Sequence, residues 1–167
     1  MLQPLVRRTW APRGQTPIHY QWNRHDRLSV ISAVTLSPHR YRIGLYWDIH
    51  RKNIGAEDVV TFLRSLRRNI RRKMILVLDR WKVHRAKILE KCWEVHSKTI
   101  QVEWLPAYAP ELNPAEQVWN HSKYSDLANL SPEDIDELYQ LVRSSISRAR
   151  NQTHLLRSFF QTAGLAL

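Results

Sequence analysis

A run of apolar residues at 73–79 constrains the fold of this chain more than any other segment. Met74-Ile75-Leu76-Val77-Leu78 is continuously apolar, and the run ends at Asp79. Such runs are typical of strands buried on both faces of a parallel sheet, because helices cover both sides of sheets of that kind. We therefore predict a strand over 73–79 in an α/β domain, with the Asp79 carboxylate at its C-terminal end.

The remaining residues alternate between strand and helix patterns. β-branched enrichment and apolar spacing predict strands over 28–36, 41–47 and 100–104, and helices over 56–69, 84–95, from Asn113-Pro114 onward, 131–150 and 154–163. Asn113 and Ser131 are the expected N-caps of the two helices that they precede. The order β-β-α-β-α-β-α-α, with the short helix over 154–163 added at its end, predicts a mixed sheet covered by helices, and 167 residues suit a single domain over 1–167.

Net charge is the compositional outlier. The chain carries 26 basic and 15 acidic residues, a net charge of +11, and its pI is near 10.3. This balance favours a polyanionic partner, nucleic acid before membrane, because neutralised phosphates release counterions. Cys92 is the single cysteine, which excludes an internal disulfide and a cysteine-based zinc site and fits a reducing cytosol. No apolar run approaches the roughly 20 residues of a membrane span, so we expect no membrane partner.

Two acidic residues occupy distinctive settings. Asp79 ends the apolar strand, and Glu116 lies in the first turn of a later helix, with 36 residues between them. Mg²⁺ and Mn²⁺ prefer such carboxylate ligands, and a pair of these ions can activate an attacking oxygen and stabilise a leaving one on phosphorus. Structural alternatives remain open. Glu116 could close a capping box with Asn113, and Asp79 could be a turn residue or pair with Arg80 or Lys82.

Further polar residues are weighed beside this pair. Asp48 also ends a predicted strand and is a possible additional ligand, whereas His50 fits a surface loop. His84 could orient a phosphate or a water, or cap the following helix. The segment 7–13 mixes cations with an aromatic ring, so Arg7, Arg8 and Arg13 are candidates for phosphate contacts and Trp10 for base stacking. The basic residues at the end of the 56–69 helix fit a solvated face.

Three stretches together resemble the DDE catalytic domain of mariner-superfamily transposases, in particular the bacterial insertion-sequence branch. They are Arg8-Thr9-Trp10-Ala11-Pro12-Arg13-Gly14-Gln15-Thr16-Pro17, Leu76-Val77-Leu78-Asp79 followed by His84-Arg85, and the specific run Leu105-Pro106-Ala107-Tyr108-Ala109-Pro110-Glu111-Leu112-Asn113-Pro114-Ala115-Glu116-Gln117-Val118-Trp119. The resemblance covers most of the chain and is weakest after Asn129. His84 and Arg85 join the candidate nucleic-acid contacts.

This resemblance implies an RNase H-like fold and DNA strand cleavage and strand transfer that depend on Mg²⁺ or Mn²⁺. By position Asp79 is similar to the second catalytic acid and Glu116 to the third, both as metal ligands. The implied partners are transposon ends and target DNA, with a homodimer as the candidate assembly. The implied location is the bacterial cytoplasm, at the nucleoid.

The sequence departs from the family pattern at its beginning. The family's first catalytic Asp lies on a first strand ahead of the segment that here begins at Met1, and its N-terminal helix-turn-helix region is likewise not in this sequence. Asp26 and Asp48 do not match that acid, and Arg80 follows Asp79 where the family commonly has Asn. We therefore expect the first strand to be missing or incomplete, apolar sheet edges to be exposed, and the chain alone to be an impaired transposase.

Two alternatives have different activities. A non-catalytic, basic nucleic-acid-binding remnant would keep the RNase H-like fold without cleaving. A generic nuclease acting on RNA–DNA hybrids is disfavoured by the context of residues 107–116.

Overall fold

The computed structural model describes residues 7–8, 10–16, 18 and 27–165. The strands are β1 (Ser29–Leu36), β2 (Ile43–His50), β3 (Met74–Leu78) and β4 (Ile100–Trp104), and the helices are α1 (Ala56–Asn69), α2 (Lys87–Val95), α3 (Pro114–His121), α4 (Ile135–Asn151) and α5 (Thr153–Thr162). Single turns of 3-10 helix cover Lys82–Arg85 and Pro110–Leu112, and a π-helical turn, Ser122–Asp126, extends α3. No helix among the described residues is long and apolar enough to span a bilayer.

Helices flank two small sheets, which confirms the predicted mixed α/β class. β1 pairs with β2 in antiparallel register from Ser29–His50 to Leu36–Ile43, and β3 pairs with β4 in parallel. Within residues 27–165 the strands form these two separate two-stranded sheets instead of one continuous sheet. The predicted absence of a first strand concerns residues outside the described part of the chain.

The expectation that β3 is buried on both faces was wrong. Ile75 and Val77 are 65% and 55% exposed, whereas Met74, Leu76 and Leu78 are half-buried on the other face. The parallel register sets Ile75 beside Gln101 and Val77 beside Glu103, so β4 contributes polar residues to the exposed face. Only one face of this small sheet is therefore covered by the described helices.

Two apolar clusters hold the elements together. In the first, α3, α4 and α5 pack against the β1–β2 hairpin, and the members without solvent exposure are Leu28, Val118, Val142, Ile146 and Leu156. In the second, α1 and α2 pack beside β3, with Val59, Leu63, Leu66 and Leu89 buried. Ser145 in α4 and Ser122 after α3 are fully buried and share a 2.9 Å hydrogen bond, so the polar atoms at this helix contact are satisfied.

Two predicted helix starts shift in the structure. The 84–95 helix is divided, because Ala86 adopts extended backbone angles between the 3-10 turn and α2. Ser131 is not the N-cap of α4. Asp134 is the cap: its backbone is extended, and its Oδ1 accepts a 2.7 Å hydrogen bond from the Glu137 amide.

This cap assignment predicts a measurable stability difference. Asp134→Ala removes the acceptor of an otherwise unpaired amide in the first turn and is expected to lower the free energy of unfolding by about 1 kcal/mol. Asp134→Asn keeps a side-chain oxygen at the same position and should retain most of that stability. Urea denaturation followed by circular dichroism measures both. Equal losses in the two variants would contradict the cap.

Candidate active site

Asp79 directly follows β3 and is held by two hydrogen bonds. Its Oδ1 accepts from the Trp81 amide at 3.1 Å and lies 2.8 Å from His84 Nδ1. The 3-10 turn Lys82–Arg85 folds back towards β3, so the largely buried His84 ring contacts the Asp79 carboxylate. The Trp81 ring packs edge-on against the His84 ring. The hydrogen bond from His84, followed by that from the Trp81 amide, lowers the pKa of Asp79 below its usual range despite partial burial. Asp79 is therefore ionised at neutral pH.

The neighbouring cations do not pair with Asp79 in the described structure. Arg80 instead donates from Nε to the Leu105 carbonyl oxygen at 3.0 Å, which ties the end of β3 to the end of β4. The ion pairs of the described residues give His84 as the partner of Asp79. The alternative pairing with Arg80 or Lys82 is therefore wrong, and His84 orients the carboxylate.

Glu116 lies in the first turn of α3. Asn113 is the N-cap as predicted, since its Oδ1 accepts from the Ala115 amide at 3.1 Å. The Asn113 amide donates to the Pro110 carbonyl oxygen at 3.0 Å, which leaves no donor there for a Glu116 carboxylate. The capping-box alternative is thus wrong for Glu116, and its half-buried carboxylate is not used by the helix start.

The fold brings the two carboxylates to one groove. Leu105 donates from its amide to the Leu78 carbonyl oxygen at 2.8 Å, so the segment that leads to α3 leaves the sheet beside Asp79. Burial raises the pKa of Glu116, and the negative charge of Asp79 raises it further. Two carboxylates that repel each other in this way form the donor set that a hard divalent cation prefers, so the residues present fit Mg²⁺ or Mn²⁺.

The described residues do not complete a three-acid cluster. No group of three His, Cys, Asp or Glu side chains within them could hold one metal ion. Asp48 does not line the groove; its carboxylate accepts a hydrogen bond from the Ile49 amide and lies 3.3 Å from His50 Nε2. It is therefore not brought to Asp79 and Glu116. Asp26 lies outside the described residues.

The groove that contains both acids has a volume of about 2980 Å³ and is lined by many basic side chains. Its lining Arg and Lys residues are Arg42, Arg71, Arg72, Lys73, Arg80, Lys82, Arg85, Lys98 and Lys123. On α3 and its π-helical extension, Asn120, Lys123 and Tyr124 also line it. The sequence reasoning missed these three residues, although their spacing from Glu116 by four, seven and eight positions is the helical signal that could have found them.

Some of the predicted nucleic-acid contacts are exposed side chains, and others are bonded to other residues of the domain. Trp10 is fully exposed and Arg13 is exposed, so both are accessible to a ligand. Arg7 packs on the domain: its amide donates to Asn129 Oδ1 at 2.6 Å and its guanidinium donates to the Tyr124 carbonyl oxygen. Arg8 lines the same small surface depression. Arg85 lies on the groove, whereas His84 is occupied by Asp79.

The proximity of the two acids predicts a shift in titration. Asp79→Asn removes a nearby negative charge, and the pKa of Glu116 is expected to fall towards the usual range as a result. A carboxyl-carbon NMR titration of Glu116 in the two proteins measures this. Asp136→Asn, outside the groove, is the matched control and should leave Glu116 unchanged. An unaltered Glu116 titration in Asp79→Asn would show that the carboxylates do not interact.

Comparison with known proteins gives the family and the fold of the chain. The family model of the DDE superfamily endonucleases matches residues 1–139, and no curated protein matches the chain. Among solved structures, a Mos1 mariner paired end complex with Mn has a TM-score of 0.62 at 14% identity, covering 98% of this chain and 48% of that one. The Mg form of that complex gives 0.62 at 12%, covering 98% and 50%. The Mos1 strand transfer complex gives 0.55 at 14%, covering 99% and 52%.

These likenesses establish the fold at low sequence identity. The predicted α/β architecture is confirmed as that of the matching part of the Mos1 structures. The chain spans about half the length of the Mos1 chains that it matches.

Proposed function

Because this chain belongs to the DDE superfamily endonucleases, we propose that it acts in DNA transposition through metal-dependent DNA strand cleavage and strand transfer. One observation carries the proposal. Asp79 and Glu116, separated by 36 residues in sequence, line one groove and lie close enough for the Asp79 charge to raise the pKa of Glu116. The Mos1 complexes that share the fold contain transposon ends and were obtained with Mn or Mg, which supports the same substrate class and metals here.

Each side chain has a role in this proposal. Asp79 and Glu116 hold Mg²⁺ or Mn²⁺. A bound ion of this kind would supply charge stabilisation to the attacking and leaving oxygens of a phosphodiester. The Trp81 amide and His84 both bond Asp79 Oδ1, and Oδ2, which has no hydrogen bond among the described residues, is the proposed metal ligand. The groove cations, Arg85 among them, bind the DNA backbone, while Trp10 stacks on a base and Arg7, Arg8 and Arg13 contact phosphates.

We propose that the third carboxylate comes from outside the described residues. The family resemblance implies three acids, and the described part of the chain brings only Asp79 and Glu116 together. With one ligand absent, the remaining two supply less charge and cannot define the octahedral geometry that Mg²⁺ demands. The domain over 1–167 is therefore expected to cleave weakly by itself.

Since two DNA ends are joined in transposition, we propose a homodimer acting on chromosomal DNA in the cytoplasm.

Nicking of supercoiled plasmid tests the proposal. The chain, and a form extended upstream by the segment that carries the first acid of the family, are compared in Mn²⁺ and in EDTA. We expect the extended form to nick the plasmid in Mn²⁺ and the chain alone to do so weakly or not at all. Absence of nicking by both would overturn the cleavage function. Nicking by the chain alone that Asp79→Asn abolishes would place the third ligand within residues 1–167.

The incomplete acid cluster favours a second candidate function. A non-catalytic nucleic-acid-binding protein needs the net charge of +11 and the basic groove but no third acid. Binding to single- and double-stranded DNA at several salt concentrations, with and without Mg²⁺, separates the two. A pure binder shows steep salt dependence and no strengthening of binding by Mg²⁺, whereas the binding of a metal-dependent enzyme is strengthened by the ion.

A further inference from the structure

Tyr108 is a fully exposed aromatic side chain in the loop between β4 and α3. It lines the groove that contains Asp79 and Glu116. In the part of the chain that the structure describes, no ring, cation or hydrogen-bonding group contacts its side chain. Both faces of the ring and the hydroxyl group are therefore available to a ligand in the groove.

Two other exposed aromatic rings of the groove already have partners within the domain. The Trp81 ring packs edge-on against the His84 ring, with 5.4 Å between the centroids. The Lys123 ammonium lies 5.6 Å from the centre of the Tyr124 ring. The free ring of Tyr108 differs from both, since no packing contact of the described fold explains its presence.

The backbone of Tyr108 is strained. Its φ is 58°, in the left-handed region. A bulky side chain rarely adopts these angles, because its Cβ crowds the following carbonyl oxygen, whereas asparagine and glycine adopt them at lower cost. Residues held in such conformations cluster at functional sites. The stability of this turn therefore does not account for a tyrosine at position 108.

The loop starts beside the carboxylate of Asp79. The Leu105 amide donates to the Leu78 carbonyl oxygen at 2.8 Å, which fixes the start of the loop next to Asp79. Tyr108 follows Leu105 by three residues, a chain length of at most about 11 Å. The exposed ring is therefore confined to the end of the groove where the metal ligands lie.

The loop that carries Tyr108 is stiffened on both sides of it. Pro106 and Pro110 flank the turn, and each proline ring fixes its own φ. The Leu112 amide donates to the Ala109 carbonyl oxygen at 3.2 Å, and this 3-10 turn leads directly into α3. An exposed ring on a stiff loop loses little conformational freedom when a ligand packs on it, which favours binding.

We propose that Tyr108 stacks on one unpaired base of the DNA strand whose phosphate is bound at Asp79 and Glu116, an inference that rests on the proposed function. Base–aromatic stacking needs a free face on the base, and bases inside a duplex are already stacked on their neighbours. The ligand is therefore a nucleotide released from pairing close to the reacting phosphate. Arg80, Lys82 and Arg85 line the same groove and favour a polyanionic strand over an apolar protein surface.

Binding measured in EDTA tests this inference without DNA cleavage. The probes are a short blunt duplex and the same duplex with a single-stranded tail of a few nucleotides that contains 2-aminopurine. The unmodified chain should bind the tailed duplex at least about fivefold more tightly than the blunt one and quench the 2-aminopurine fluorescence. Tyr108→Asn should lose this preference and the quenching, while its affinity for the blunt duplex stays the same.

Three comparisons separate stacking from a structural role of Tyr108. Tyr108→Phe keeps the ring and should keep the preference for the tail. Tyr41→Asn is the matched control, because Tyr41 is also exposed and lines the groove but lies in the turn between β1 and β2, and it should bind as the unmodified chain does. In urea denaturation Tyr108→Asn should be at least as stable as the unmodified chain, since asparagine relieves the strain.

Several outcomes would overturn the inference. They are equal binding of the two duplexes by the unmodified chain, a retained preference in Tyr108→Asn, a lost preference in Tyr108→Phe or in Tyr41→Asn, and a lower stability of Tyr108→Asn. Equal binding of the duplexes, together with plasmid nicking by the upstream-extended form, would remove the stacking site alone. A preference for the tail that depends on Tyr108, without nicking by that form, would remove the cleavage function and retain the stacking site.

Discussion

Asp79→Asn or Glu116→Gln is expected to lower the rate of Mn²⁺-dependent plasmid nicking by the upstream-extended form by at least about 1,000-fold. A bound metal contributes several kcal/mol of charge stabilisation to the transition state, and each 1.36 kcal/mol corresponds to a factor of ten in rate. Each substitution removes one negative charge from the groove while the side-chain volume stays the same. In Asp79→Asn an oxygen also remains to accept from the Trp81 amide, so the local fold is retained.

The matched control for this loss is Glu111→Gln. Glu111 is exposed on the 3-10 turn before α3 and does not line the groove. Its variant should nick at the unmodified rate. Initial rates of conversion from supercoiled to open-circular plasmid give the comparison, and circular dichroism verifies folding of every variant. Rates within tenfold of the unmodified protein in Asp79→Asn or Glu116→Gln would remove that residue from the metal site.

The carboxylates of Asp79 and Glu116 should also determine how the rate of plasmid nicking falls at acidic pH. A protonated carboxyl group cannot serve as a metal ligand, and the pKa of Glu116 is raised by burial and by Asp79. As the pH is lowered, the metal affinity should therefore begin to fall at a higher pH than it would with a glutamate of ordinary pKa. The pKa of Asp79 is lowered, mainly by its hydrogen bond with His84, so Asp79 is expected to stay ionised over that range.

The second large effect concerns stability. Ile146→Ala is expected to lower the free energy of unfolding by about 2–5 kcal/mol, because Ile146 on α4 has no solvent exposure and its truncation leaves a cavity against the β1–β2 hairpin. The matched control is Ile88→Ala on α2, where the side chain is 43% exposed and the change in helix propensity is the same. Its loss should be less than half as large. Urea denaturation measures both, and equal losses would contradict the assigned core.

Most of the elements could be predicted because their signals are local. The helix over 56–69 and the strand over 100–104 have the predicted bounds, since spacing and β-branched content depend only on nearby residues. The start of α4 could not be chosen in this way. Ser131 and Asp134 are both favourable N-cap residues, and each is followed three residues later by an acid. Only the backbone geometry selects Asp134. The Glu137 carboxylate accepts a hydrogen bond from the Glu133 amide.

The sequence predicted the two acids of the candidate site but not the contacts that these acids make in the folded structure. Asp79 and Glu116 were selected because one ends an apolar strand and the other opens a capped helix. The hydrogen bond of His84 to Asp79 and the bond from the Asn113 amide to the Pro110 carbonyl oxygen exclude the ion-pair and capping-box alternatives for these acids. Neither contact follows from sequence spacing, because each depends on how a turn folds back.

The sequence by itself determined the identity of the elements, the two acids and the basic character of the chain, since these depend on residue chemistry and short-range periodicity. Only the tertiary structure decided that the four described strands form two separate sheets, that Ile75 and Val77 are exposed, and that Asp79 and Glu116 meet at one groove. These features depend on contacts between residues far apart in the chain. Burial and electrostatic interaction are properties of the neighbours that a side chain acquires only when the elements pack.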